Sequence, residues 1–181
     1  MSWMSTWSGK RVDIAKPRMQ DIDIRDVAHH LSLLCRFNGA CSYHYSVAQH
    51  SLLVASILPP HLQFWGLLHD GPEAYYGDII RPFKHKDIMK PVRDMLHAFD
   101  TVFYRRFGLL TDEERYLGLP PAVRRADEAV CLAEGLAMMT NGTDGWKLKL
   151  AREPAVVVII QQEPESMERA FVDAYENLHE E

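Results

Sequence analysis

Three carboxylates and an imidazole stand within ten residues of one another at HDGPEAYYGD (69–78), directly after the apolar run FWGLL (64–68). Charged side chains are almost never fully buried without a partner, so acids at the mouth of a core point to a ligand or to chemistry. His69 and Asp70 are adjacent, and Glu73 follows three residues later, a spacing that places Asp70 and Glu73 on one helical face. Two further residues join them. His50 lies inside the apolar stretch SVAQHSLLVA. Asp127 lies in RRADEAV, where Ala126, Val130 and Ala133 mark a buried face. Two imidazoles and two carboxylates, carried on three helices, form a mixed N/O ligand set of the kind built between facing helices. Such a set suits Mn²⁺, Fe²⁺, Co²⁺ or Zn²⁺ rather than a thiolate-rich structural zinc or an all-oxygen calcium cage. It leaves positions for water, and a bound water of lowered pKa is a nucleophile near neutral pH.

Other chemistries are not supported. There is no HExxH, no GxSxG, no GxGxxG and no P-loop, since Met4 stands where the P-loop's first glycine is needed and no Ser or Thr follows Lys10. Cys35, Cys41 and Cys131 are odd in number and lack CxxC spacing, which argues against a disulfide frame or a zinc finger and fits a reducing, cytoplasmic setting. The net charge of −5 gives no reason to expect a nucleic-acid polymer as partner. No apolar run approaches a membrane span, and MSWMSTWSGKR lacks the layout of a signal peptide.

The elements that must position these residues read as helices in one domain spanning 1–181. Asp26 is expected to cap a helix over 27–35 and Ser46 one over 47–58, ended by Pro59–Pro60. HLQFWGLLHD (61–70) reads as a buried helix broken by Gly71–Pro72, with Pro72 suited to the first turn of the next segment. A long amphipathic helix over 86–109 should start near, or kink at, Pro91. Further helices are expected over 122–139, closed by Asn141–Gly142, and over 167–178. Strand signals are confined to GKRVDI (9–14) and the β-branched VVVII (156–160). The fold class is all-α with at most one small β-hairpin.

His50, His69–Asp70 and Asp127 together give the order H…HD…D, and this chain resembles the HD-domain metal-dependent phosphohydrolases. CRFNG (35–39), YSVAQHSLLVAS (45–56), LLHDGPEAYYGDIIRPFK (67–84) and RADEAV (125–130) carry the likeness across roughly residues 8–140. The pattern resembles the small HD hydrolases of phages and prophages, which include the phage dATP triphosphohydrolases (DatZ-like), relatives of the YfbR-like bacterial 5′-deoxynucleotidases. The resemblance implies that His50, His69, Asp70 and Asp127 ligate a divalent metal (Mn, Co, Zn or Fe), with additional Mg or Mn entering with substrate. It implies that Glu73 orients or deprotonates the attacking water or protonates the leaving oxygen. Asp78 would be a second acid/base or the site of an additional ion, and Arg36 a phosphate contact. Phe37 stands where tryptophan is expected in the bacterial enzymes. Arg81 and Lys84, three apart in RPFK, are the other cations suited to a phosphate tail. Phe37 and Tyr75 are candidates for stacking on base or sugar.

The function so implied is divalent-metal hydrolysis of a deoxynucleoside 5′-triphosphate, dATP plus water giving deoxyadenosine plus triphosphate. It would deplete dATP in a phage nucleotide pathway, in the host cytoplasm. A 5′-deoxynucleotidase acting on monophosphates is the first alternative; Arg81, as an extra cation, favours the triphosphate. A non-catalytic nucleotide-binding HD domain and a metal serving only as a fold staple are the others. Relatives assemble as dimers or hexamers, so the resemblance also implies a homo-oligomer.

Overall fold

A computed structural model describes residues 3–84, 86–146, 148, 150–151 and 153–179, with the side chain of Arg81 also outside the description. The fold is all-α with one small hairpin: β1 (Met4–Ser5), β2 (Arg11–Val12), α1 (Ile24–Leu33), α2 (Val47–Ser56), α3 (Pro60–Leu68), α4 (Glu73–Tyr76), α5 (Arg81–Lys84), α6 (Lys90–Arg106), α7 (Pro121–Met138) and α8 (Pro164–His179). No described helix is long and apolar enough to cross a membrane.

Most helix limits follow from local chemistry. The Ser46 side chain accepts from the backbone N–H of Gln49 and starts α2. Pro91 sits in the first turn of α6, where its missing N–H costs nothing. The cap of α1 differs from expectation: Asp23 caps it, accepting from Arg25 N, because the helix begins three residues earlier. Asp26 is instead buried inside α1. It accepts from the backbone N and the hydroxyl of Ser8 at 2.7 and 2.8 Å, tying the N-terminal hairpin to the helix.

The hairpin contains part of the expected strand 9–14, with Met4 opposite Val12 and Ser5 opposite Arg11. The run VVVII is not a strand. It crosses the surface with Val156, Val158 and Ile160 turned outward and no partner strand among the described residues. Single bonds hold it, from Ala155 N to Ala129 O and from Gln49 Nε2 to Ile160 O.

Two cores position the site. The larger joins α1, α2, α3, α6 and α8 through Val27, Leu31, Val47, Leu68, Phe99, Phe103 and Phe171. The smaller packs α7 onto α2 through Val54, Leu58, Val123 and Val130. Gly66 sets the approach of α3 to α2: a Cβ there would meet Leu58 Cδ1 at 2.6 Å and the backbone Cα of Ala55 at 2.9 Å. Gly66→Ala must therefore spread the two helices that carry His50 and His69. The expected loss is roughly 1–3 kcal/mol of stability, about 2–4 °C in Tm per kcal/mol for a chain of this size, read by thermal unfolding.

Candidate metal centre

Four side chains from three places in the chain converge. His50 sits in the first turn of α2, His69 and Asp70 in the turn that ends α3, and Asp127 two turns into α7. One ligand atom from each of His50, His69 and Asp127 lies within 4.8 Å of the others, a group able to hold a metal ion. His50 Nε2 is 3.2 Å from Asp127 Oδ1, and His69 Nε2 is 3.2 Å from Asp70 Oδ2. Asp70 Oδ2 is also 3.7 Å from His50 Nε2, so all four expected ligands share one locus. The imidazoles form the floor, with no exposed side-chain surface, while the carboxylates of Asp70 and Asp127 retain 21% and 13%. The site therefore opens on its carboxylate side.

Both rings are oriented by their other nitrogen. His50 Nδ1 donates to Glu134 Oε1 at 2.8 Å and His69 Nδ1 donates to the carbonyl of Gly66 at 2.7 Å. Those bonds place the proton on Nδ1 and leave the Nε2 lone pair facing inward, the arrangement usual for a ligating histidine. Neither Nε2, though buried, makes a well-formed hydrogen bond. The Tyr104 hydroxyl donates to the carbonyl of His69 at 2.6 Å and fixes the backbone of the turn.

The charge balance asks for a cation. Burial and the Arg36 guanidinium both push His50 toward its neutral form, yet Glu134 and Asp127 outweigh them and raise its pKa to about 9. Burial would raise Asp70 and Asp127, yet the two imidazoles hold both below the usual carboxylate range. The pocket gathers a positive charge wherever one is available. Two inward-facing Nε2 atoms beside two ionised carboxylates match a divalent transition metal, which would take the place of the extra proton that His50 otherwise holds, so the residues fit the group.

Around this centre lie most of the other expected residues. Glu73 is buried at the start of α4, and its Oε2 has no hydrogen bond. Burial, then Asp70 and Asp78, push its pKa well up, against Lys84 and Arg36. Asp78 is half-buried and is also raised, by burial and Asp70 against Arg36. Lys84 is half-buried on α5, close enough to lower both acids. Arg36 is buried, with Nη1 3.7 Å from Asp70 Oδ2. Its Nε and Nη2 already donate to Glu134 Oε2, at 3.2 and 2.9 Å. Phe37 is half-buried beside Arg36, with the guanidinium 5.1 Å from its ring centre. The Arg81 side chain lies outside the described residues. Tyr75 does not join the site: it is buried in the core against Phe99 and Phe103, and its hydroxyl accepts from Asp23 N.

Two residues not expected from sequence emerge. Glu134 is fully buried and grips His50 with one oxygen and Arg36 with the other. Its sequence signal is its place seven residues after Asp127, two turns along the same face of α7. Asp100, buried on α6, accepts from the Tyr76 hydroxyl at 2.9 Å. Burial raises it to about 6, with Tyr76 and Lys84 opposing. A raised carboxyl favours folding fully below its unfolded pKa and loses that advantage as pH rises through 6. Replacing it by Asn removes the titration and keeps an acceptor. Asp100→Asn should gain on wild type by up to roughly 3 kcal/mol as pH rises from 4 to 7, measured by urea unfolding across that range.

Among described residues, then, the fold is an all-α helical assembly whose centre is a buried His–His–Asp group able to hold a metal ion. No protein-family model matches the chain. It is similar to the uncharacterized protein YfdR of Escherichia coli K12, 39% identical over 109 residues that make up 60% of each chain. It is also similar to an uncharacterized protein of Rhodobacter capsulatus, 36% identical over 137 residues, or 71% of this chain and 66% of that protein. The matches thus span about two thirds or less of these relatives' own lengths.

Proposed function

We propose that the chain is an HD-type phosphohydrolase that cleaves a deoxynucleoside 5′-triphosphate, dATP plus water giving deoxyadenosine and triphosphate. The observation that carries the proposal is the convergence of His50, His69, Asp70 and Asp127 on one locus, with both Nε2 atoms facing inward. The H…HD…D order and its flanking motifs supply the substrate class. A divalent cation held there supplies positive charge for phosphate oxygens and acidifies water.

The remaining work falls to this chain's side chains. Arg36 and Lys84 flank the carboxylate mouth and neutralise charge on the phosphates. Cleavage at the α-phosphorus breaks the bond to O5′, which must leave with a proton. Glu73, whose pKa burial, Asp70 and Asp78 push well up, is the acid suited to donate it. Asp78, raised less, is suited to accept the proton of the attacking water.

Incubation with each dNTP and dNMP plus Mn²⁺, Co²⁺ or Mg²⁺, followed by product separation, tests this reading. Deoxyadenosine with intact triphosphate is expected. Orthophosphate from dAMP alone would assign the 5′-deoxynucleotidase reaction instead. No turnover of any nucleotide with any of these metals would overturn the proposal.

A further inference from the structure

Arg36 is bracketed by two thiols. Cys35 Sγ and Cys41 Sγ are 3.5 Å apart, at van der Waals contact, although five residues separate them. The chain between them folds back through three consecutive left-handed residues, Phe37 (φ 53°), Asn38 (φ 53°) and Gly39 (φ 79°). A bulky residue such as Phe37 is strained in that region, and the strain persists only where the surroundings hold it. Both ends of the turn are held. Cys35 pairs with Ser46 as an isolated antiparallel bridge, and Arg36 N donates to Tyr45 O at 2.8 Å. Just beyond Cys41, Ser42 N donates to Met138 O at the end of α7. The fold itself brings the sulfurs together. Both cysteines are half-buried, open to small reagents.

We infer that Cys35 and Cys41 form a modification site, a dithiol that closes to an intramolecular disulfide and locks the Arg36–Phe37 turn beside the metal centre. The oxidant class is a small disulfide such as glutathione disulfide. One cysteine thiolate attacks a glutathione sulfur, forming a mixed disulfide and releasing glutathione thiolate. The second cysteine thiolate then displaces the other glutathione. The protein loses two electrons and two protons; glutathione disulfide gains both and leaves as two thiols. A closed bond needs the sulfurs at about 2 Å, a closure of about 1.5 Å that two side-chain rotations within one turn can supply.

The test does not depend on turnover, so it stands apart from the proposed reaction. The full chain is equilibrated across a series of glutathione/glutathione disulfide ratios, acid-quenched, unfolded, alkylated and weighed. All three thiols should be alkylated at the reducing end. Only Cys131 should be alkylated at the oxidising end, with the protein lighter by two hydrogens and the link mapped to the peptide holding Cys35 and Cys41. Cys35→Ser and Cys41→Ser should each lose the intramolecular link. Amide exchange over Arg36–Ala40 should slow several-fold in the oxidised wild type. Three alkylated thiols at every ratio, or stable glutathione adducts in place of the internal link, would overturn the dithiol assignment. Unchanged exchange over the turn would overturn the locking.

Discussion

Asp127→Ala should abolish stabilisation by divalent metal. A ligand that binds only the folded state at 100 times its Kd adds about 2.7 kcal/mol, so wild type should melt several degrees higher with saturating Mn²⁺ or Co²⁺, and the variant should not. Asp127 is chosen because its Oδ1 approaches both imidazoles, at 3.2 Å from His50 Nε2 and 3.9 Å from His69 Nε2. Removing it leaves the two rings in place, since each is fixed by its own Nδ1 bond. On the proposed function, hydrolysis should fall roughly 10³-fold or more, equivalent to about 4 kcal/mol of transition-state stabilisation. The two readouts separate the claims. A variant that keeps its metal-dependent rise in Tm removes Asp127 from the ligand set. A wild type that binds metal but turns over no nucleotide leaves the metal centre standing and removes the reaction.

Why the metal group was legible in the sequence and its surroundings were not has a physical reason. His50 and Asp127 stand out as polar residues on otherwise apolar faces, and His69–Asp70 as a polar pair directly after the apolar run FWGLL. Glu134 is buried too, but its partners Arg36 and His50 are 98 and 84 residues away, a pairing that local sequence does not reveal. Tyr75 is a candidate for the site because its ring could stack on a base or sugar. Two residues along a helix turn the side chain by about 200°, so with Glu73 facing the site Tyr75 must face the core. The run VVVII has the β-branched composition of a strand but lies outside any strand. A strand also needs a partner edge, which no composition supplies; here the neighbours are helices, α7 through the bond from Ala155 N to Ala129 O and α2 through the bond from Gln49 Nε2 to Ile160 O. Asp26 had the chemistry of a cap but lay one turn too deep, and its carboxylate went to Ser8 instead.

Glu134→Gln should damage both halves of the site at once. The carboxylate has no exposed surface and spends Oε1 on His50 and Oε2 on Arg36. Glutamine has one acceptor and one donor in the same shape. If its NH₂ faces Arg36, two donors meet. If it faces His50, Nδ1 must become an acceptor and the proton moves to Nε2, where the metal-facing lone pair was. Either way a residue behind the ligands is lost, and metal affinity should fall about 10- to 100-fold. Arg36 is left buried with weakened compensation, at a cost of roughly 3–5 kcal/mol in stability, or about 10 °C in Tm. Glu134→Asp keeps the charge on a shorter stem and should recover part of both losses.

The pH profile distinguishes this ion pairing from lost packing. Glu134 is held below its ordinary 4.5, by Arg36 and His50 against the cost of burial, so its contribution fades as pH falls through the lowered value. His50 is raised from 6.5 to about 9, so its contribution fades as pH rises toward 9. In the metal-free protein the stability advantage of wild type over Glu134→Gln should therefore be greatest between about pH 4.5 and 6.5 and shrink on both sides. Urea unfolding across pH 3–10 measures it. An advantage that is flat with pH would mean that Glu134 acts by filling space and not by joining Arg36 to His50.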